Sequence, residues 1–287
     1  MVKNILKFAL CVLVYLAINM VISSVLPYSQ GFMELRKDGT SISLLFLVIF
    51  AAWVCYAMYF TARHADINGK KLYLVLVCVT FLIVSLMTQI ETVLFGSAFP
   101  ALTRVDVLWL LFAFLVSIAA TALPVTLFFQ NKNTVYVKWE INLKSLLIKL
   151  GIIGVIYFCL YFLFGYFVAW QFSELRTFYT NSSVNDITQS SAQTILNSQV
   201  ALFFVQVIRG IMFGVFIIPL RRIIHNKAAF IISVCLVYLG TGMQLIVPNP
   251  LFPDIVRYAH LIEMTGSMLL FGLAAGFIMW GKKAKPV

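Results

Sequence analysis

Four side chains carry most of the chemistry open to this sequence: Glu91, Arg209, His260 and Glu263. Each stands inside an apolar run, where a charged group costs at least about 2.5–3.5 kcal/mol on insertion scales and needs a partner or a wet cavity. Glu91 has Thr88, Gln89 and Thr92 beside it, and Ser85, Thr88 and Thr92 follow helical spacing along one face. Gln199, Gln206 and Arg209 are spaced by seven and three, and Arg257, His260, Glu263 and Ser267 by three, three and four. Tyr15, Asn19 and Ser23 recur at steps of four, and Tyr238, Thr241 and Gln244 at steps of three. Two carboxylates and an imidazole suit proton transfer or the holding of a charged ligand, with Arg209 as counter-ion or anion clamp. His260 and Glu263 at i,i+3 can share a metal with Glu91 as third ligand, or form a hydrogen bond that orients the ring. Against all of these stands a charge network that only fixes helix packing.

Composition defines the elements that must hold these groups. The chain has 287 residues, 62% of them hydrophobic and only 11% charged. A soluble fold of that size cannot hide so much apolar surface, so lipid must solvate much of it. Eight windows are long enough to cross a bilayer as helices, near 5–26, 43–62, 72–95, 106–129, 146–170, 199–219, 228–246 and 256–280. The expected fold is an all-α polytopic bundle forming a single transmembrane domain over 1–287. The first run, though preceded by Lys3 and Lys7, is longer than a signal-peptide core and reads as a retained span. The five cysteines all sit in apolar segments and read as small hydrophobes.

The net charge of +11 does not point to nucleic acid, because the basic residues lie in short loops between spans. Fifteen of the 21 lysines and arginines fall on the side of the termini, five on the other side, and Arg209 lies inside a span. That bias predicts both termini in the cytoplasm and, for a bacterial chain, residence in the inner membrane. The longest loop on the outer side, 171–198, is rich in Asn, Ser, Thr and Gln and reads as a cap or mobile loop; Asn181-Ser182-Ser183 within it matches a glycosylation sequon. Phe99-Pro100 with Arg104 recurs as Phe252-Pro253 with Arg257, which suggests a parallel 4+4 repeat of 1–135 and 140–287. Pro124 is expected to kink the fourth span, and Gly272 and Gly276 form a small-residue face that lets two helices approach closely, within the chain or between two copies of it.

Depth ties the polar residues together. At 1.5 Å per residue, Glu91 lies about 6 Å below the outer end of its span, and His260 and Glu263 about 6–11 Å below theirs. Asn19, Ser23, Thr241 and Gln244 also belong to outer halves, whereas the inner halves are nearly free of polar side chains. The expected site is therefore a cavity in the outer half, with Asn19, Thr88, Gln89, Glu91, Gln206, Arg209, Gln244, Arg257, His260 and Glu263 as its candidates. No cofactor motif occurs, and no ATPase module, HExxH or GxSxG. The leading expectation is binding or transport of a small or amphipathic molecule. The alternatives are an intramembrane lipid-modifying enzyme and a non-catalytic sensor or assembly subunit.

Gln89-Ile90-Glu91, with Pro248-Asn249-Pro250, Pro253, Arg257, His260, Glu263 and Phe271-Gly272, resembles a group of bacterial integral membrane proteins of about this length. The resemblance covers most of the chain. It implies a multi-pass bundle and, since no activity is assigned to that group, no function.

Overall fold

The computed structural model describes residues 2–36, 41–131, 142–180, 192–249 and 251–280. Every regular element among them is helical: α1 (Val2–Val25), α2 (Gln30–Arg36), α3 (Ser41–His64), α4 (Gly69–Thr80), α5 (Met87–Leu94), α6 (Arg104–Phe129), α7 (Leu143–Phe167), α8 (Ser173–Thr180), α9 (Ala192–Phe216), α10 (Ile218–Ile223), α11 (Lys227–Met243) and α12 (Asp254–Met279). Eight stretches are long and apolar enough to cross a membrane: Val2–Val25, Leu44–His64, Gly69–Leu94, Arg104–Phe129, Leu143–Gln171, Ala201–Ile223, Lys227–Ile246 and Asp254–Met279. These match the eight sequence windows to within a few residues. The end of the bundle carrying Val2 and Met279 is called proximal below, and the other end distal.

Capping chemistry sets several boundaries. Thr103 and Asp106 close a reciprocal box at the start of α6, and Asn142 and Asn226 accept from the backbone N–H groups of Ser145 and Ala229 at the starts of α7 and α11. The third span is not one regular helix, because a π-helical turn over Phe81–Leu86 separates α4 from α5. Such a turn inserts extra backbone and rotates everything after it, including Thr88 and Glu91. By contrast α6 runs unbroken as a helix through Pro124. The stretch 171–198, expected to be loop, contains α8 and the first turns of α9, while the Asn181 sequon lies outside the described residues.

Helix α11 forms the centre, packing along α12 and against α3 and the π-turn. Around it α7 meets α9 and α12, while α1 meets α3 and α6. Lipid tails are as apolar as leucine, so such contacts rest on close fit and small residues. A Cβ on Gly210 would sit 2.6 Å from Tyr157 Cβ and 2.8 Å from Gly154 Cα, so α7 and α9 cross almost backbone to backbone. The Gly272/Gly276 face is used within the chain: Cβ atoms there would meet Cys235 Cα at 3.0 Å and the Ile231 side chain at 3.1 Å on α11. The close helix approach expected of this small-residue face is thus made within the chain, between α11 and α12.

The two halves also touch at both ends. Proximally, the Asp66 backbone N–H donates to Ile223 O at 2.7 Å and the Asp66 carboxylate meets His225 Nδ1. Distally, the rings of Phe99 and Phe252 meet edge to face at 5.1 Å. The proximal end is not wholly apolar, since Arg221 is buried with its guanidinium 4.1 Å above the Trp280 ring.

Candidate functional site

All eight spans contribute their distal halves to one cavity of about 1370 Å³. Tyr15, Asn19 and Ser23 reach it from α1, Leu47 and Phe50 from α3, and Leu110 and Phe114 from α6. Thr88, Gln89, Glu91 and Thr92 come from α5, Tyr157 and Tyr161 from α7, and Thr241 and Gln244 from the end of the seventh span. Helix α12 adds His260, Glu263 and Ser267. The helical stripes read from the sequence thus face inward, as the cost of polar groups in lipid requires.

Behind the wall lies a charge pair. Arg209, 2% exposed, donates from Nη2 to Glu91 Oε2 at 3.0 Å and to Met87 O at 3.3 Å, and from Nη1 to Gln206 Oε1 at 2.9 Å. Its guanidinium also lies 5.6 Å from the centre of the Tyr157 ring. Glu91 faces the cavity while Arg209 and Gln206 do not, so these two expected cavity residues are second-rank supports of Glu91. The Glu91 side chain remains 26% exposed, against 3% for Arg209.

A second polar unit stands on α12. His260 Nδ1 lies 2.8 Å from Glu263 Oε2, and the Tyr179 hydroxyl lies 3.0 Å from His260 Nε2. The Nδ1–H tautomer satisfies both contacts: the carboxylate accepts from Nδ1–H, and Nε2 accepts the phenol proton. Burial first, then the negative charges of Glu91 and Glu263, push the Tyr179 phenol well above the usual tyrosine value, which keeps it a neutral donor. Tyr179 belongs to α8 and was not among the residues read from the sequence. The signal was present in the apolar spacing of Leu175, Phe178 and Tyr179 within an otherwise polar stretch.

Arg257 is the third expected cavity residue that does not line the cavity. It donates to Leu245 O and Ile246 O at 2.9 and 3.1 Å and to Asp254 Oδ1 at 2.8 Å, so it closes the carbonyl end of the seventh span. Arg104, its counterpart in the sequence comparison, is exposed at the start of α6. Among the described residues no group of three or more His, Cys, Asp or Glu side chains comes together to hold a metal. Glu91 therefore does not join His260 and Glu263 as a third ligand.

No family model, curated protein or solved structure matches the chain. What the site can do must be read from its geometry.

The remaining polar groups of the wall are largely turned inward on the protein. Thr88 donates to Val84 O and Ser85 O, Thr92 to Thr88 O, Gln244 to Thr241 O, and Asn19 to Ser117 Oγ. Gln89 Oε1 is buried without a hydrogen-bond partner among the described residues. The charged wall groups from the spanning helices are confined to α5 and α12; α1, α3 and α6 present aromatic, aliphatic and neutral polar side chains.

Proposed function

We propose that this multi-pass membrane protein binds, and passes across or out of the bilayer, a small amphipathic molecule. The observation that carries this reading is the cavity: it is built mainly from distal span halves with α2 and α8, has Glu91, His260 and Glu263 on one side, and has Leu47, Phe50, Leu110 and Phe114 on the other. Ligand sites typically enclose about 300–1,000 Å³, so about 1370 Å³ accommodates a headgroup with an alkyl chain. The charge bias of the loops supports a distal end that faces outward, with both termini cytoplasmic in a bacterial inner membrane.

A 4+4 parallel repeat fits this reading, since transporter sites form between such halves. Spans 1 and 2, 1 and 4, and 3 and 4 are neighbours in the first half, as are 5 and 6, 5 and 8, and 7 and 8 in the second. Across the halves, span 2 meets 7 and span 3 meets 6, as a two-fold axis between spans 3 and 7 requires. The Phe99–Phe252 contact is what such an axis produces at its distal end.

The test is recovery of the molecule. Protein purified in mild detergent should retain a stoichiometric amphipath identifiable by mass spectrometry, and a folded Ser267→Trp variant, which sets a bulky ring into the cavity one turn from Glu263, should retain less. Equal small-molecule content in the two proteins would overturn the reading.

A second reading, an intramembrane lipid-modifying enzyme, is favoured by one observation: the Tyr179–His260–Glu263 chain places a carboxylate-oriented imidazole against a hydroxyl, as acid–base catalysis uses. An altered membrane lipid profile in a His260→Ala strain, with the retained molecule unchanged, would support it over binding alone.

A further inference from the structure

We infer that the amphipath is an organic cation, an amine or quaternary ammonium with an apolar chain; this rests on the binding reading above. The first ground is the sign of the wall. The acidic side chains that line the cavity are Glu91, Asp254 and Glu263, and they outnumber the one arginine of its lining, Arg36 of α2. Arg209 stands behind Glu91 with its guanidinium engaged by Glu91, Gln206 and Met87, and Arg36 donates to Ser23 O with its guanidinium over the Tyr28 and Phe32 rings. A bound anion would meet carboxylates without reaching Arg209.

The second ground is a surplus of acceptors. The hydroxyl protons of Thr88 and Thr92 and the amide of Gln244 go to backbone carbonyls. Gln89 Oε1 is left buried with no donor. Glu263 receives His260 on Oε2, and its Oε1 lies beside Gly165, 3.7 Å from where a Cβ would stand. A ligand that brings positive charge and N–H groups supplies the donors that these acceptors lack.

The third ground is aromatic. Tyr157, Tyr161 and Tyr179 line the same side as Glu91 and Glu263, and ring faces attract a desolvated ammonium. Leu47, Phe50, Leu110 and Phe114 on the facing helices suit the chain.

The experiment uses the full-length protein in nanodiscs of zwitterionic lipid, with radiolabelled dodecylamine as probe and dodecyl sulfate and dodecanol as competitors. Saturable dodecylamine binding is expected, displaced by dodecyltrimethylammonium and not by dodecyl sulfate. Glu263→Gln should weaken it by at least about tenfold, while Glu263→Asp, which keeps the charge, should stay within a few-fold of wild type. Displacement by dodecyl sulfate or dodecanol as effective as by the quaternary amine would overturn the cation assignment and leave amphipath binding standing. This comparison needs only the wild-type protein, so it decides the matter even if a variant fails to fold. Absence of saturable binding by all of these probes would overturn the cation assignment, while a retained amphipath of another class would leave the binding reading intact.

Discussion

Arg209 Nη2 and Glu91 Oε2 lie 3.0 Å apart, joining the sixth span to the third across 118 residues of sequence. The pair is lopsided: the guanidinium is shut away from the cavity, and the carboxylate is its outward face. Arg209 therefore holds Glu91 in place, and Gln206 and Met87 O hold Arg209.

Removing one partner should cost more than removing both. Glu91→Leu leaves a buried guanidinium with its charge unmatched, for which about 3 kcal/mol is expected, the low end of the range because Glu91 keeps contact with the cavity. Glu91→Leu combined with Arg209→Leu should recover a large part of the loss. Thermal melting of the four proteins in one detergent, read as a double-mutant cycle, checks this; additive losses would remove the pair from the account.

The α7–α9 crossing should tolerate no added atom. Gly210→Ala places a methyl 2.8 Å from the Gly154 backbone, and about 1–3 kcal/mol of destabilisation is expected. Because Tyr157 and Arg209 flank that crossing, ligand affinity should fall with it. Gly151→Ala is the matched control: nothing lies within 4 Å of its Cβ, and helix propensity alone favours alanine by about 0.5–1 kcal/mol. Equal melting shifts for the two variants would contradict the crossing.

Asp106 ties the first connection to the fourth span. Its carboxylate accepts from the Ser29 N–H and Oγ–H at 2.7 Å and from the Thr103 N–H and Oγ–H at 2.9 and 2.6 Å. Asp106→Ala strands these donors, and a loss of about 2–3 kcal/mol is expected, with increased protease cleavage near Ser29. Asp106→Asn, which keeps one acceptor oxygen, should fall between. A wild-type cleavage pattern in the alanine variant would count against this tie.

Tyr179 gives a pH dependence. Its phenol is held above its ordinary value of 10.0, so from about pH 10 upward the unfolded chain releases a proton that the folded protein keeps. The unfolded state then binds fewer protons, and stability falls as pH rises. Tyr179→Phe removes this contribution, so its melting temperature should decline less steeply than wild type between about pH 9.5 and 11. Parallel slopes would mean that Tyr179 is not held in this environment.

Local pattern made much of this protein legible. Apolar length determined the eight spans, and the steps Tyr15–Asn19–Ser23, Thr88–Thr92 and His260–Glu263–Ser267 determined which faces and which depth carry polar groups. These follow from rise per residue and from the cost of polar groups in lipid, both of which act within one helix. What one helix cannot determine is its rotation against its neighbours. That rotation, set by glycines such as Gly154 and Gly210 and by the π-turn over Phe81–Leu86, decides that Glu91 faces the cavity while Arg209 stands behind it. It also turns Arg257, whose spacing matches that of His260 and Glu263, onto the carbonyls of Leu245 and Ile246. Tyr179 reaches His260 across 81 residues, a contact that no periodicity within α8 or α12 encodes, because it depends on where two separate helices come to rest.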